Sequence, residues 1–581
     1  MPDKKAKTAQ QKRMTTIMTS IVFIVALVLG FSVLYFDDHS WGTWGDDSAG
    51  YVFLAGRMLA GEPLVYYDEL AAAGLEFFGD EKLARWLTPT HHQFINTQGV
   101  IASKYPVGAP LLLLAGAKLY GSGAGFYLVT PVLAVLNLVL VYILALLLFP
   151  RQKFRHLIGF LSAISLGVSS LYYDYAIAQP MREIPSICFI LLLAIFLILG
   201  VRQVKSGEKK HRWLAYGLFA LSGLACGMAF NIRETAVLVV PGAIVFAMMV
   251  LWQKEVKIWT NIKKMLPYAL TFLLAAIIAI TPTIQNSINI SKDKEVFKAR
   301  DTSEVVVLSN IGHVESLSLQ NIFDNQGKFR PGKGSLPHYW NIMQKSTPLP
   351  YFLVLVLVGI FYLWKESKPK TLFLVLWAFG VLTIFSLWVN PYSRYILPLF
   401  PPLILIGVYG LFALVQRFLP AVFKQKKIVT ALAVVIAGAF IAGYQPIFAS
   451  INENLITDVY RFKAISQNDL NTVIQIGEDL QAYEKPVLMF AGDWQYGISE
   501  TMQAHTGLKT VRFPFEQRFE FDEEQVDAFF EQMKADGYTL FVWSDVTASA
   551  DFFEWFAQQE VTEVSQHEFS FEPAVTIHKV W

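Results

Sequence analysis

Cysteine is nearly absent from this chain: two residues in 581, Cys188 and Cys226, both inside apolar runs. That excludes a disulfide framework and a cysteine-rich zinc site. Charge is also scarce, at 16% of residues, while 54% are hydrophobic and the mean hydropathy is +0.42. So much apolar surface could not be hidden inside a soluble globule. Internal repeats and low-complexity linkers are likewise missing.

What is present is a series of long apolar windows separated by short polar breaks, the pattern of a polytopic α-helical membrane protein. A bilayer core takes about 20 apolar residues per helical crossing. Eleven windows qualify: 17–36, 126–149, 156–176, 184–201, 213–231, 235–252, 266–285, 349–364, 371–389, 395–416 and 428–446. A twelfth run, Pro106 to Gly121, is short and broken by Pro and Gly, and is predicted to be a re-entrant or interfacial helix. The leader MPDKKAKTAQQKR is basic, but the run behind it is too long for a signal-peptide core and no small-residue cleavage site follows. It reads as a signal anchor.

Orientation follows from where the cations fall. The leader and the breaks PRQKFRH, VRQVKSGEKKHR, WQKEVKIWTNIKKM, KESKPK and QRFLPAVFKQKK are all strongly basic. Placing them together in the cytoplasm requires eleven crossings and a Pro106 to Gly121 segment that does not cross. The predicted organisation is a cytoplasmic leader (1–16), a transmembrane domain (17–448) with outer loops 37–125 and 286–348, and an extracytoplasmic domain (449–581). In residues 450–581 there are 8 Lys and Arg against 23 Asp and Glu, so this last part is acidic and faces water. Apolar strands such as KPVLMFA, YTLFVWS and AVTIHKV alternate there with amphipathic VDAFFEQMKADG and ADFFEWFAQQ, predicting a small α/β domain. The long second outer loop, with GKFRPGKGS, has the length of a lid.

On this topology the outer ends of the spans collect ionisable residues of both signs: Asp46, Asp47, Lys104, Asp174, Arg182, Glu183, Arg233, Glu234 and Arg394. Charges at the border of a membrane core are costly unless they face a bundle interior or a wet cavity. As a set they suit carboxylate chemistry beside a phosphate, the combination presented by a polyprenyl-phosphate sugar. The basic residues are accounted for by topology, so nucleic acid is not an expected partner.

The stretches WGDDSAGYVFLAGRML, SKYPVGAPLLLLAGAKLYG, YAIAQPMREIPSICF, FNIRET and SRYILPLFPPLILI, in that order, resemble the GT-C superfamily of integral membrane glycosyltransferases. The branch looks like glycosyltransferase family 39, which includes protein O-mannosyltransferases and lipid A aminoarabinose transferases. The resemblance covers about residues 15–446 and leaves the tail out. It implies an inverting transfer of a sugar from a polyprenyl-phosphate donor to an acceptor hydroxyl of a cell-envelope glycan, lipid or protein, in the plasma (inner) membrane.

By the same resemblance, Asp47 fits the catalytic base of the first outer loop, followed by Tyr51 and Ala55, with Asp46 as the alternative. The donor phosphate falls to Lys104, Arg394, Arg233 and Arg182, and substrate contacts to Tyr51, Asp174, Glu183, Glu234 and Tyr395. A divalent metal is left open, with Asp174, Glu183, His91 and His92 as candidate ligands. The competing reading is a lipid or solute transporter using the outer charges as a vestibule. Transport predicts paired repeats and ionisable groups near the midplane, neither of which the sequence shows.

Overall fold

The computed structural model describes residues 2–43, 46–89, 92–103, 105–178, 180–207, 211–292, 317–323, 334–347, 352–388, 391–418, 431, 435, 465–491, 496–514, 523–544, 550–570 and 575–581. Among them, eight helical segments are long and apolar enough to cross a membrane: Met14–Asp37, Gly125–Leu148, Glu183–Ser206, Arg212–Ile232, Glu234–Leu251, Ile258–Ser291, Lys368–Leu387 and Ser393–Phe418. Each coincides with a predicted window. Helix α1 is Pro2–Asp37, α2 is Asp46–Ala60, α3 is Glu69–Phe78, α4 is Glu81–Ala84 and α5 is Gly108–Tyr120. The bundle continues through α6 (Gly125–Leu148), α7 (Arg155–Gly167), α8 (Ser170–Ile177), α9 (Glu183–Ser206) and α10 (Arg212–Ile232). It closes with α11 (Val240–Leu251), α12 (Ile258–Lys292), α13 (Ser335–Ser346), α14 (Phe352–Glu366), α15 (Lys368–Leu387) and α16 (Phe400–Phe418).

One predicted window comes out bent, and two are described only in part. Window 156–176 is not straight: α7 and α8 meet at 65°. The break leaves the Gly167 carbonyl without its helical partner, and Tyr35 donates its hydroxyl to it at 2.8 Å. Window 349–364 corresponds to α14, whose 15 described residues fall short of a full crossing. Window 428–446 lies outside the described residues except for 431 and 435. The Pro106 to Gly121 run forms the 13-residue α5, at about 1.5 Å rise per residue too short to span.

α9 lies at the centre, packed against α6, α10 and α11, with the paired α14 and α16 beside α7. Small residues set the closest approaches. A Cβ on Gly108 would sit 2.4 Å from the carbonyl carbon of Asn231, so glycine lets the start of α5 touch the end of α10.

The first outer loop folds into a three-stranded antiparallel sheet in the order β1 (Val65–Tyr67), β3 (Val100–Ser103), β2 (His92–Phe94). After residue 464 the chain forms a five-stranded sheet flanked by α17 (Gln467–Leu480), α18 (Tyr496–Thr506), α19 (Glu523–Ala535) and α20 (Ala550–Ala557). Its strand order is β5 (Lys509–Arg512), β4 (Pro486–Phe490), β6 (Thr539–Ser544), β8 (Val575–Lys579), β7 (Thr562–His567). β4 runs parallel to both β5 and β6, whereas β8 is antiparallel to β6 and β7. Alternate side chains serve opposite faces: Leu488, Phe490, Phe541 and Trp543 pack with α17 and α18, while Val487, Met489, Leu540 and Val542 pack with α19 and α20.

The tail is not a free-standing unit. Leu70, Leu75, Trp86, Leu87, Phe94 and Ile101 of the first outer loop share one apolar core with Phe529, Phe530 and Trp555. Lys509 seals that junction, 2.5 Å from Asp68 and donating to the Leu87 carbonyl at 2.8 Å.

Candidate active site

Helix α2 carries the aspartates. Tyr51, Val52, Leu54 and Ala55 bury one of its faces in the main core, and the other side meets α18, where a Cβ on Gly56 would lie 2.4 Å from the Ala504 carbonyl oxygen. Just ahead of α2, Thr43 donates to the Gly497 carbonyl at 2.5 Å and Trp41 to the Ile465 carbonyl at 2.8 Å. The C-terminal domain thus holds the helix that presents Asp47.

Both oxygens of Asp47 are engaged. Tyr105 donates to Oδ1 at 2.6 Å and Arg394 Nη2 to Oδ2 at 2.5 Å. Tyr105 reaches there because Gly50 leaves room: a Cβ at that position would fall 2.4 Å from the tyrosine ring. The same ring lies on Tyr51, centroids 4.6 Å apart. The Tyr51 hydroxyl is fully buried with no hydrogen-bond partner among the described residues. Burial pushes its phenol well above the usual range, so it stays protonated and remains a donor.

Arg394 sits on a 3₁₀ turn, Ser393–Leu399, that leads into α16. Pro398 in that turn exposes its carbonyl to the Trp377 indole, which donates at 2.9 Å and anchors it. Behind Arg394 stands Glu183, at the first residue of α9, with Oε1 3.8 Å from Arg394 Nε and 2.8 Å from Arg233 Nη1. Arg233, closing α10, also donates Nε to Thr235 at 3.1 Å and lies over the rings of Tyr395 and Phe385 at 5.0 and 5.4 Å. Arg182 faces Glu234 at 3.9 Å. Three carboxylates and three guanidiniums are therefore interleaved at one end of the bundle, so that no buried charge is left uncompensated.

Exposure separates them. Arg233 and Glu183 are 2% and 0% exposed, whereas Arg394 and Asp47 are 16% and 17% exposed and open toward solvent. The Nε atoms of Arg182 and Arg394 and Oε2 of Glu183 are buried without partners among the described residues. A ligand with acceptor oxygens could meet the two donors.

The structure brings together Asp47, Tyr51, Arg182, Glu183, Arg233, Glu234, Arg394 and Tyr395 from four separate stretches. Asp46 opens α2, but its side chain lies outside the described residues, as do Lys104 and His91. Asp174, on α8 beyond the bend, makes no ion pair among the described residues. His92 is buried in β2 against the rings of Phe53 and Tyr66, occupied in the loop sheet. Among the described residues no three His, Cys, Asp or Glu converge as metal ligands would. Tyr105 was missed: its only sequence signal is its place beside Lys104 in SKYPVGAPLL, and contact with Asp47 becomes visible only in three dimensions.

Comparison with known proteins bears on the fold. The family model described as dolichyl-phosphate-mannose-protein mannosyltransferase matches residues 104–284. A solved structure of ArnT from Cupriavidus metallidurans bound to undecaprenyl phosphate superposes with a TM-score of 0.54 at 13% identity, covering 96% of this chain and 97% of that one. The Archaeoglobus fulgidus oligosaccharyltransferase tethered to an acceptor peptide gives 0.53 at 13% identity, covering 90% and 69%. No curated protein matches in sequence. The chain therefore shares its fold with ArnT and the archaeal oligosaccharyltransferase, the multi-span helical architecture with a C-terminal α/β domain that the sequence predicted. The likeness to ArnT also extends over most of the C-terminal domain, which the sequence resemblance left out.

Proposed function

We propose, from the premise of a GT-C glycosyltransferase fold, that this protein is an inverting transferase moving a sugar from a polyprenyl-phosphate donor to an acceptor hydroxyl. The reaction takes place at the extracytoplasmic face of the plasma membrane, with the N-terminus cytoplasmic. The observation that carries this reading is the partly open Asp47 and Arg394 pair, 2.5 Å apart, backed by the buried Glu183 and Arg233. A carboxylate able to accept a proton beside a cation able to hold a phosphate supports this chemistry.

Asp47 takes the proton of the acceptor hydroxyl as its oxygen attacks the anomeric carbon. The bond from that carbon to the phosphate oxygen breaks, and its electron pair leaves with the polyprenyl phosphate. One displacement inverts the anomeric centre. Arg394, with Arg182 and Lys104, meets charge that grows on the phosphate as the bond breaks, and so favours the transition state over the bound substrate. Arg233 is too buried to touch a ligand, and we assign it to holding Glu183. Tyr51 is as buried as Arg233, and we assign it to packing against the Tyr105 ring that reaches Asp47. The ArnT complex with undecaprenyl phosphate supports a lipid-linked donor.

The test is lipid mass spectrometry of host cells carrying wild type, a deletion, or Asp47→Asn at equal protein levels. Accumulation of one glycosylated carrier lipid in both defective strains is the expected result. An unchanged carrier-lipid profile in both would overturn the reading.

A further inference from the structure

Arg394 has two anions competing for it. In this structure its Nη2 binds Asp47 at 2.5 Å, while the reaction needs the same guanidinium on the donor phosphate. Asp47 accepts from both Tyr105 and Arg394, so the electron pairs that should receive the acceptor's proton are committed to charge-assisted bonds. A base held this way is a poor base.

Arg394 has somewhere else to go. Its Nε is buried with no hydrogen-bond partner among the described residues, and Glu183 lies 3.8 Å from it. Glu183 is itself pinned by Arg233 at 2.8 Å and has a second oxygen without a partner among the described residues. Glu183 can therefore keep Arg394 charged and within reach while the guanidinium turns away from Asp47, so the move leaves no stranded buried charge.

We propose that Arg394 is a two-position switch: in the resting enzyme it clamps Asp47, and the phosphate of an arriving polyprenyl donor draws it off, releasing the carboxylate only when a donor is bound. Glu183 is the positioning residue that retains Arg394 through the exchange. The device rests on the transferase reading above. It couples donor occupancy to base activation, which prevents an activated acceptor from waiting in an empty site.

The coupling has a measurable signature in binding alone. Because Asp47 competes with phosphate for Arg394, part of the donor's binding energy is spent breaking the clamp, and the apparent affinity is reduced accordingly. Removing the carboxylate charge should therefore tighten phosphate binding even as it abolishes turnover. The probe is undecaprenyl phosphate, titrated into full-length protein in nanodiscs of zwitterionic lipid, with wild type, Asp47→Asn, Arg394→Gln and the double variant. Thermal melting checks that each is folded.

The expected result is binding tightened about tenfold in Asp47→Asn, the equivalent of one charge-assisted bond. Arg394→Gln should bind more weakly, and adding Asp47→Asn to it should give no gain. Equal or weaker binding by Asp47→Asn would overturn the switch while leaving the transferase reading intact. A gain that persists in the Arg394→Gln background would also overturn it, since simple relief of charge repulsion would then explain the effect. Absence of binding by folded wild type would remove the donor reading and the switch with it.

Discussion

Glu183 receives a 2.8 Å hydrogen bond from Arg233 while facing Arg394 at 3.8 Å, one carboxylate between two guanidiniums with no access to solvent. The first residue of α9 thereby ties the end of α10 to the turn before α16, and the geometry around Asp47 depends on that tie.

Removing one partner of such a pair is more damaging than removing both. Glu183→Gln leaves Arg233 charged and unpaired in the interior, and should destabilise the protein by about 3 kcal/mol. Combining it with Arg233→Gln should recover part of the loss. Thermal unfolding of the purified single and double variants in one detergent measures the difference.

Gly50 is the close-packing residue beneath Tyr105. Gly50→Ala places a methyl group 2.4 Å from that ring, which must shift, taking its hydroxyl off Asp47. Overpacking of this kind costs about 1–3 kcal/mol. Tyr105→Phe, which keeps the ring, should leave the melting temperature nearly unchanged. Both variants should raise the carrier-lipid sugar that accumulates in cells, and a normal lipid profile in Tyr105→Phe would remove Tyr105 from the site.

His505 reports on the seat of the C-terminal domain. It lies against Phe126 and Tyr127, its Nε2 3.3 Å from the Tyr127 hydroxyl, and burial pushes its imidazole down to about 4 from an ordinary 6.5. The folded state thus disfavours the protonated ring. Above pH 6.5 the ring is neutral whether folded or unfolded, and no stability is lost. As pH falls from 6.5 to about 4 the unfolded state binds the proton first, and about 3 kcal/mol is lost. Melting temperature measured from pH 7 to pH 4 should drop over that window, and His505→Gln should flatten the drop.

Asp68 works twice, capping α3 through Ala71 N at 2.9 Å and pairing with Lys509 at 2.5 Å. Asp68→Ala loses the cap, worth about 1 kcal/mol, and strands a largely buried ammonium. Limited proteolysis should then cut between the C-terminal domain and the first outer loop at lower protease concentration than in wild type. Unchanged digestion would show that the shared apolar core alone holds the junction.

Most spans were legible because a bilayer imposes a one-dimensional test, length and hydropathy, that each window passes or fails by itself. The bend at Val168 was not legible: residues 157–171 hold no proline and no Asp, Glu, Lys or Arg to mark a break, and Tyr35 caps Gly167 there from another helix. Strands β4, β6 and β8 were visible as apolar runs, whereas β7, reading TEVSQH, is a mostly polar edge strand recognisable only by its pairing with β8. The charged set was found because polar residues stand out beside apolar runs. Which acid meets which base was invisible.

By itself, then, the sequence determined the class of molecule, the apolar windows that form long helices, and the roster of charges flanking those windows. These follow from the cost of exposing apolar surface to water and polar backbone to lipid, and that cost is local. Tertiary structure decided that Arg394 meets Asp47 from 347 positions away in the chain, that Glu183 and Arg233 pair in the interior, and that the acidic tail clamps the helix bearing Asp47. Those pairings depend on helix ends meeting in space and on small residues such as Gly50 and Gly108 permitting the approach. Close packing of distant segments leaves no periodic trace in a linear chain.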